Sequence, residues 1–430
     1  MRTIQRLSPL GLITLFALSA ALLPMAAGRA QDNIDDEGPS GLLAYISYTD
    51  TNGDGQIEPV GDNGTLWVVD TTCVHTPEEC AGTNLTDAAT DERDPAWSPD
   101  GTRIAYSVQE DRNDDGLIDR NYANLYSIQV ADGSITRITN SFTIDTVPSW
   151  SPDSTRLTFQ SIADTNGDNA INFSDLPAVN VINSGGGGRT LRTVDVYSIN
   201  PAWSPDNSAL AFVSFAEDAP AGVFTTSLFL ISPDAGRRVQ ITSADSMDRM
   251  PVWSPDGKRL AFVTTTDSNG DGVVDPLTDV NNAAVLNPDG SGLTILAKCD
   301  PFPTGLSWSP DGASIALTYD GAMYTVRATG GVPPLQLTGE GFDVTAVAWS
   351  PDGAYLAFIS HNRLFVMSAS GGTTPEALSE TGDYVAQPVW APLLPEPVTT
   401  EEAPTPTPAG FSDPSRPSPP APTETPVGHG

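Results

Sequence analysis

Trp97-Ser98-Pro99-Asp100-Gly101-Thr102-Arg103-Ile104-Ala105-Tyr106-Ser107 is the stretch whose reading decides the fold. It joins a tryptophan, a tight turn and a run of alternating apolar and polar residues. The opening phrase returns in full at Trp150, Trp203, Trp253, Trp308 and Trp349, and in worn form as Trp390-Ala391-Pro392. Seven of the eight tryptophans therefore share one context, at spacings of 53, 53, 50, 55, 41 and 41 residues. A unit repeated at this period marks a solenoid, a propeller or an array.

Outward from the phrase, each repeat has one grammar. A short strand ends in the tryptophan. Proline then fixes φ, and Gly or Asn takes the positive-φ place of a tight turn. A second strand follows, as in Arg259-Leu260-Ala261-Phe262-Val263 or Tyr355-Leu356-Ala357-Phe358-Ile359. After a link of variable length comes a third, as in Asn124-Leu125-Tyr126-Ser127-Ile128. A Gly-rich hairpin leads to a fourth, as in Val239-Gln240-Ile241-Thr242. Four antiparallel strands per repeat make a propeller blade.

The first repeat lacks a leading tryptophan. Leu42 to Tyr48, Thr65 to Asp70 and Asn84 to Thr86 supply its second, third and fourth strands, and Pro388-Val389-Trp390 supplies the missing first. The expected fold is all-β: a seven-bladed β-propeller of four-stranded antiparallel blades over residues 41–394, closed by a C-terminal strand that completes the first blade. Closure removes the unpaired edges of an open array.

The flanks read differently. Residues 1–30 carry Arg2 and Arg6, then an uncharged apolar run from Leu10 to Leu23, then a small-residue exit at Gly28-Arg29-Ala30. That is the pattern of a cleaved signal peptide, too short to span a bilayer comfortably. It implies a secreted, periplasmic or cell-surface protein. Residues 31–40 are a lead-in. Residues 395–430 are rich in Pro and Thr, with almost no large apolar residue except Phe411; they cannot bury a core and are expected to be disordered.

The formal net charge is −34, and loss of residues 1–30, with three arginines and no acid, takes it to −37. Nucleic acid and anionic lipid would be repelled. No later stretch is apolar enough to cross a membrane. Cys73 and Cys80 flank a small loop and are expected to pair in an exported chain, the alternative being two free thiols. Cys299 reads as structural.

Four of the links between second and third strands share a further pattern. They offer Asp50, Asn52, Asp54, Gln56 and Glu58; Asp111, Asn113, Asp115, Leu117 and Asp119; Asp164, Asn166, Asp168, Ala170 and Asn172; and Asp267, Asn269, Asp271, Val273 and Asp275. Side-chain oxygens fall at positions 1, 3, 5 and 9, and the main-chain carbonyl at position 7 can add another. Gly or Asn at position 6 permits a sharp turn. This is the ligand order of an EF-hand-type calcium loop. Three carboxylates converging within roughly 5 Å would repel by about 3 kcal/mol per pair at an effective dielectric near 20, so a cation is needed to gather them. Hard oxygen donors without His or Cys match calcium. A solvated polar turn uses the same residue types, but four copies at one place in the repeat favour calcium. The Asp164 loop, with only two acidic donors, is expected to bind most weakly. Four ions would bring the mature charge only to about −29, so calcium alone does not account for the acidity.

Catalytic patterns are weaker. Gly185 to Thr190 falls where other repeats carry a hairpin and lacks a phosphate-binding lysine. His75, His361 and His429 lie far apart in the repeat, so neither a transition-metal site nor a Ser-His-Asp arrangement is visible. The chain is expected not to be an enzyme.

At the tryptophan phrases and the strands that follow them, the sequence resembles the TolB-like propeller repeat family over roughly residues 41–394. The acidic loops resemble the calcium hairpins of integrin alpha-subunit propellers. The first resemblance implies recognition of a protein or peptide at the funnel of the ring, outside the cytoplasm. The same repeat occurs in propellers attached to serine peptidases and in oligogalacturonate lyases; no hydrolase domain follows here, and the lyase-type metal histidines have no counterpart. The expected function is a calcium-binding, non-catalytic scaffold for a protein, peptide or glycan ligand. The alternative is a carbohydrate-active lyase or a lactonase with a metal in the central channel. Asp145, Asp248, Arg249, Asp300, Asp343 and Asp383, on the links before each tryptophan, are candidate contact positions.

Overall fold

The structure is a computed structural model. It describes residues 41–393 apart from 58, 60, 76–81, 114, 169, 172–174, 194–196, 218–224, 235, 340 and 380–383. The signal-peptide, lead-in and tail expectations lie outside the described residues.

Seven four-stranded antiparallel sheets are arranged as blades. In blade 1 the strands run, from channel to rim, Tyr384–Trp390, Leu42–Thr49, Asn63–Asp70 and Thr83–Asn84. The last strand of the chain thus completes the first blade, with Leu43 opposite Trp390 and Ser47 opposite Val385. Blade 2 takes Asp91–Trp97, Arg103–Gln109, Asn124–Gln129 and Ile135–Arg137 in chain order. The other five repeat that order, with inner strands Ile144–Trp150, Ser198–Trp203, Ser246–Trp253, Gly305–Trp308 and Val344–Trp349.

The repeated phrase is explained by what it touches in the next repeat. Each tryptophan wedges between blades. The indole N–H of Trp150 donates to Ala96 O at 3.0 Å, and Ala96 immediately precedes the tryptophan of the blade before. Trp97, Trp253, Trp308 and Trp390 make the same bond to Val389, Ala202, Val252 and Ala348. Trp203 and Trp349 lack an acceptor for that N–H. An arginine from the second strand of the preceding blade covers three of the rings: Arg103 over Trp150 at 4.5 Å, Arg156 over Trp203 at 4.8 Å and Arg259 over Trp308 at 5.3 Å. Such contacts contribute about 0.5–1 kcal/mol each.

The serine and aspartate close the turn on itself. Ser151 Oγ donates to Asp153 Oδ1 at 2.6 Å and accepts from Arg156 N at 2.9 Å, and the other five full phrases repeat this. The turn glycine at 257 has φ +69, and a β-carbon added there would lie 3.6 Å from Pro205 Cδ of the preceding turn; one at Gly353 would meet Pro310 Cδ at the same distance. The six turns therefore form a continuous lower rim.

The innermost strands carry a feature that the repeat pattern does not announce. Asp94, Val147, Asn200, Met250 and Gln387 all have positive φ, and each precedes a proline. Pairing with the second strand slips at each of these places. These are β-bulges on an edge strand whose open side faces the channel. Proline has no N–H to leave unpaired there. Neighbouring bulges also bond to one another: Asp94 N donates to Gln387 Oε1 and Gln387 Nε2 to Asp94 Oδ1, both at 2.9 Å. These bonds join blades 1 and 2 across the point of closure.

Candidate metal loops and the charges beneath them

The four acidic loops lie between second and third strands of blades 1, 2, 3 and 5, so they emerge on one face, together with the links that lead into each inner strand. Three are wound alike. Asp50 Oδ1 accepts from Gly53 N at 2.6 Å and Oδ2 from Gly55 N at 3.0 Å; Asn52 Oδ1 accepts from Asp54 N, and Asp54 Oδ1 from Gln56 N, both at 2.8 Å. Asp267, Asn269 and Asp271 repeat this with Gly270, Gly272 and Val273. Asp164, Asn166 and Asp168 do so with Gly167 and Ala170. In the Asp111 loop, Asn113 Oδ1 accepts from Asp115 N, Asp115 Oδ1 from Leu117 N, and Asp119 Oδ2 from Arg112 N. Glu58 and Asn172 lie outside the described residues.

Sequence reasoning missed a second aspartate that braces three of the loops. Asp62 Oδ1 accepts from Thr51 N at 2.9 Å, Asp175 Oδ1 from Thr165 N at 2.7 Å and Asp279 Oδ1 from Ser268 N at 2.9 Å. All three are buried. Hydrogen bonds from the Asp275 and Ser268 N–H groups hold the Asp279 carboxyl below the ordinary range. The signal was present: these aspartates follow the first loop residue by 12, 11 and 12 positions. The Asp111 loop has no such brace at the matching place, where Ala123 stands.

As to a cation, the loops are of the right donor type and order, with Asp and Asn oxygens turned into the coil. Among the described residues, no three His, Cys, Asp or Glu groups are already gathered closely enough to hold a metal. In each loop the carboxylates would be supplemented by an Asn and main-chain oxygens.

Beneath this face lies a layer of buried charge. Asp91, fully buried, receives Arg93 Nη2 at 2.9 Å and Arg120 Nη1 at 2.7 Å. Arg93 also donates to Pro59 O, and Arg120 to Gly61 O. The base of the first loop is thereby tied to blade 2 and to the end of the second loop.

Glu92, Asp145 and Asp248 occupy one repeat position, and all three are buried between blades. Each lies six residues after a threonine two positions beyond the outer strand, Thr86, Thr139 or Thr242, whose hydroxyl accepts a third-strand N–H at 2.9 Å. Glu92 accepts from Thr86 and Thr90 hydroxyls. Burial, only partly opposed by those bonds, pushes it up to about 7. Asp145 is neutralised by Arg189 at 3.2 Å. Asp248 accepts from Ser246 Oγ at 3.0 Å, and burial raises it to about 6.

These positions correct the list of contact candidates. Asp145, Asp248 and Arg249 are buried, so they are not part of an outer contact surface; only Asp300 and Asp343 are exposed, and Asp383 lies outside the described residues. Their place before each tryptophan suggested accessible loop charge, but the alternate side chains there enter the seam between blades. Cys73 is disulfide-bonded and Cys299 is free and buried; Cys80 lies outside the described residues.

The fold is that of a seven-bladed β-propeller, with a WD40-like repeat in part of it. The WD40 family (WD domain, G-beta repeat) matches residues 331–373. That span covers the outer strand of blade 6 and the first three strands of blade 7. No curated protein matches the chain. Among solved structures, it is similar to an acylaminoacyl peptidase from Pyrococcus horikoshii at 11% identity and TM-score 0.55, covering 79% of this chain and 51% of the peptidase. An oligogalacturonate lyase in complex with manganese matches at 14% identity and TM-score 0.51, covering 78% and 84%. TolB from Acinetobacter baumannii matches at 19% identity and TM-score 0.47, covering 82% and 67%. The chain thus spans about half the length of the peptidase, and these likenesses extend to the fold alone.

Proposed function

We propose that the chain is an exported, non-catalytic binding propeller whose loop-bearing face is stiffened by calcium. The observation that carries the reading is the winding of four loops at one repeat position, with donor oxygens inside and three of the four braced on a buried aspartate. A cation in each loop would pull positions 1, 3, 5 and 9 together and lock the link to the sheet below. Stiff loops on one face present a pre-ordered surface, which lowers the entropy lost when a ligand docks. The ligand is a protein, peptide or glycan. Thermal unfolding with millimolar calcium and with a chelator tests the metal. Binding to the native state must raise the midpoint as free calcium rises. An unchanged midpoint, with no heat on calcium titration, overturns it.

A further inference from the structure

We propose that Arg249 anchors a binding site for a carboxylate supplied from outside the chain. The inference rests on reading the protein as a binding propeller, but not on calcium.

Blades 2 and 5 make the comparison. Asp91-Glu92-Arg93-Asp94-Pro95 and Met247-Asp248-Arg249-Met250-Pro251 occupy the same places on their inner strands, with an arginine just before the bulge in each. In blade 2 the guanidinium closes on the chain's own carboxylate: Arg93 Nη2 and Nε lie 2.9 Å and 3.2 Å from Asp91 Oδ2. In blade 5 the residue at the Asp91 position is Met247, and its Sδ lies 2.6 Å from Arg249 Nη2. The arginine is kept and its carboxylate is gone.

Arg249 is also the one Lys or Arg among the described residues that is buried, at 8% exposure. It makes no ion pair there, although nine others are present among those residues. The adjacent Asp248, like Asp275, acts on it only through its field and makes no ion pair with it. That carboxylate accepts from Ser246 Oγ and lies by the Thr242 and Thr264 hydroxyls rather than closing on the guanidinium, and burial raises its affinity for a proton. A buried cation outside any ion pair is unfavourable. What blade 2 provides internally, blade 5 leaves to be provided in trans.

The surroundings limit the occupant. The guanidinium fork matches the two oxygens of a carboxylate. The Phe302 ring lies 4.8 Å from the Arg249 Cζ, and Tyr197, whose phenol is close enough to feel the charge, stacks on Phe215 at 4.7 Å. These rings suit an apolar or aromatic body. Phosphate, as a dianion, is disfavoured by the acidity of the whole chain. The occupant is thus a carboxylate on an apolar body, either a free organic acid or the C-terminus of a peptide.

Calorimetry on the full chain tests this with sodium benzoate, with a phenylalanine-ended hexapeptide in free-acid and amidated forms, and with inorganic phosphate. Benzoate or the free-acid peptide should bind, and Arg249→Gln should weaken binding by about thirtyfold or more. Because that variant could fail to fold, Met247→Asp is the second arm. It restores the internal pair, so it should raise the melting temperature while abolishing benzoate or peptide binding. Binding of the peptide acid but not its amide identifies a chain terminus as the source; binding of benzoate alone identifies a small acid. No carboxylate binding to the wild type, equal binding by Met247→Asp, or phosphate binding as tightly as benzoate would each overturn the proposal. Repeating the titration with a chelator separates the two readings: loops that ignore calcium would leave the Arg249 result standing.

Discussion

Trp150 shows why tryptophan, rather than another large apolar residue, heads each repeat. Its ring fills the seam between blades, its N–H reaches a main-chain carbonyl of the preceding blade, and its face receives Arg103. Trp203 has the ring and the arginine but no acceptor. Urea unfolding should therefore show Trp150→Phe costing about 1 kcal/mol more than Trp203→Phe, since only the first strips a buried carbonyl of its partner. Equal costs would mean that the bond contributes nothing net. Glu92 supplies a test in pH. It ionises near 7 when folded and near its ordinary value when unfolded. Between those limits the folded state holds more proton, so stability falls as pH rises from about 4.5 to about 7. Glu92→Gln should flatten that decline and gain about 2 kcal/mol at pH 8 relative to wild type, with little change at pH 4. The acid itself was legible in the sequence, but its burial was not. Nothing local separates Glu92 from a solvated link residue except its offset from Thr86.

At the scale of the element, the acidic loops were legible because their donors lie within nine residues of one another. The brace was less so, because Asp62 and Asp279 act across the width of a hairpin. On the calcium reading, Asp279→Asn should weaken the fourth loop without touching the other three. The change removes the charge that holds Ser268 and Asn269 N–H groups in place. A calcium titration should then lose one site of the set. Wild type should itself show three stronger sites and a weaker one, the Asp164 loop. Four identical sites would contradict the charge count on which this ranking rests. The inner-strand bulges are a different case. Each X-Pro pair could be seen in the sequence, yet the left-handed φ of Val147 or Met250 is disfavoured for such residues and arises only where the sheet edge and neighbouring blade hold it.

For the whole molecule, the decisive contact joins the two ends of the repeat array. The strand Tyr384–Trp390 pairs with Leu42–Thr49, Trp390 donates to Ala348 O, and Gln387 exchanges two hydrogen bonds with Asp94. Deleting Pro388 to Gly430 should lower the melting temperature sharply and broaden the transition, because blade 1 loses the end of its inner strand with Trp390 and exposes an edge. Deleting only Glu396 to Gly430 should leave the melt unchanged. Similar melts for the two truncations would show that the ring does not depend on this closure.

By itself, the sequence determined the number of blades, the order of strands, the closing strand and the position of the acidic loops. Each of these is written in short-range periodicity, which tight turns and alternating strands translate into structure without distant help. Only the tertiary structure decided which charges are buried and which of them find a partner. Those outcomes depend on groups distant in the chain, such as Arg120 and Asp91 or Arg189 and Asp145, being brought together by the folded blade, and the price of a buried charge is set by that meeting. Arg93 and Arg249 look alike in the chain; the neighbour that stands beside each one makes the first a finished ion pair and the second an open one.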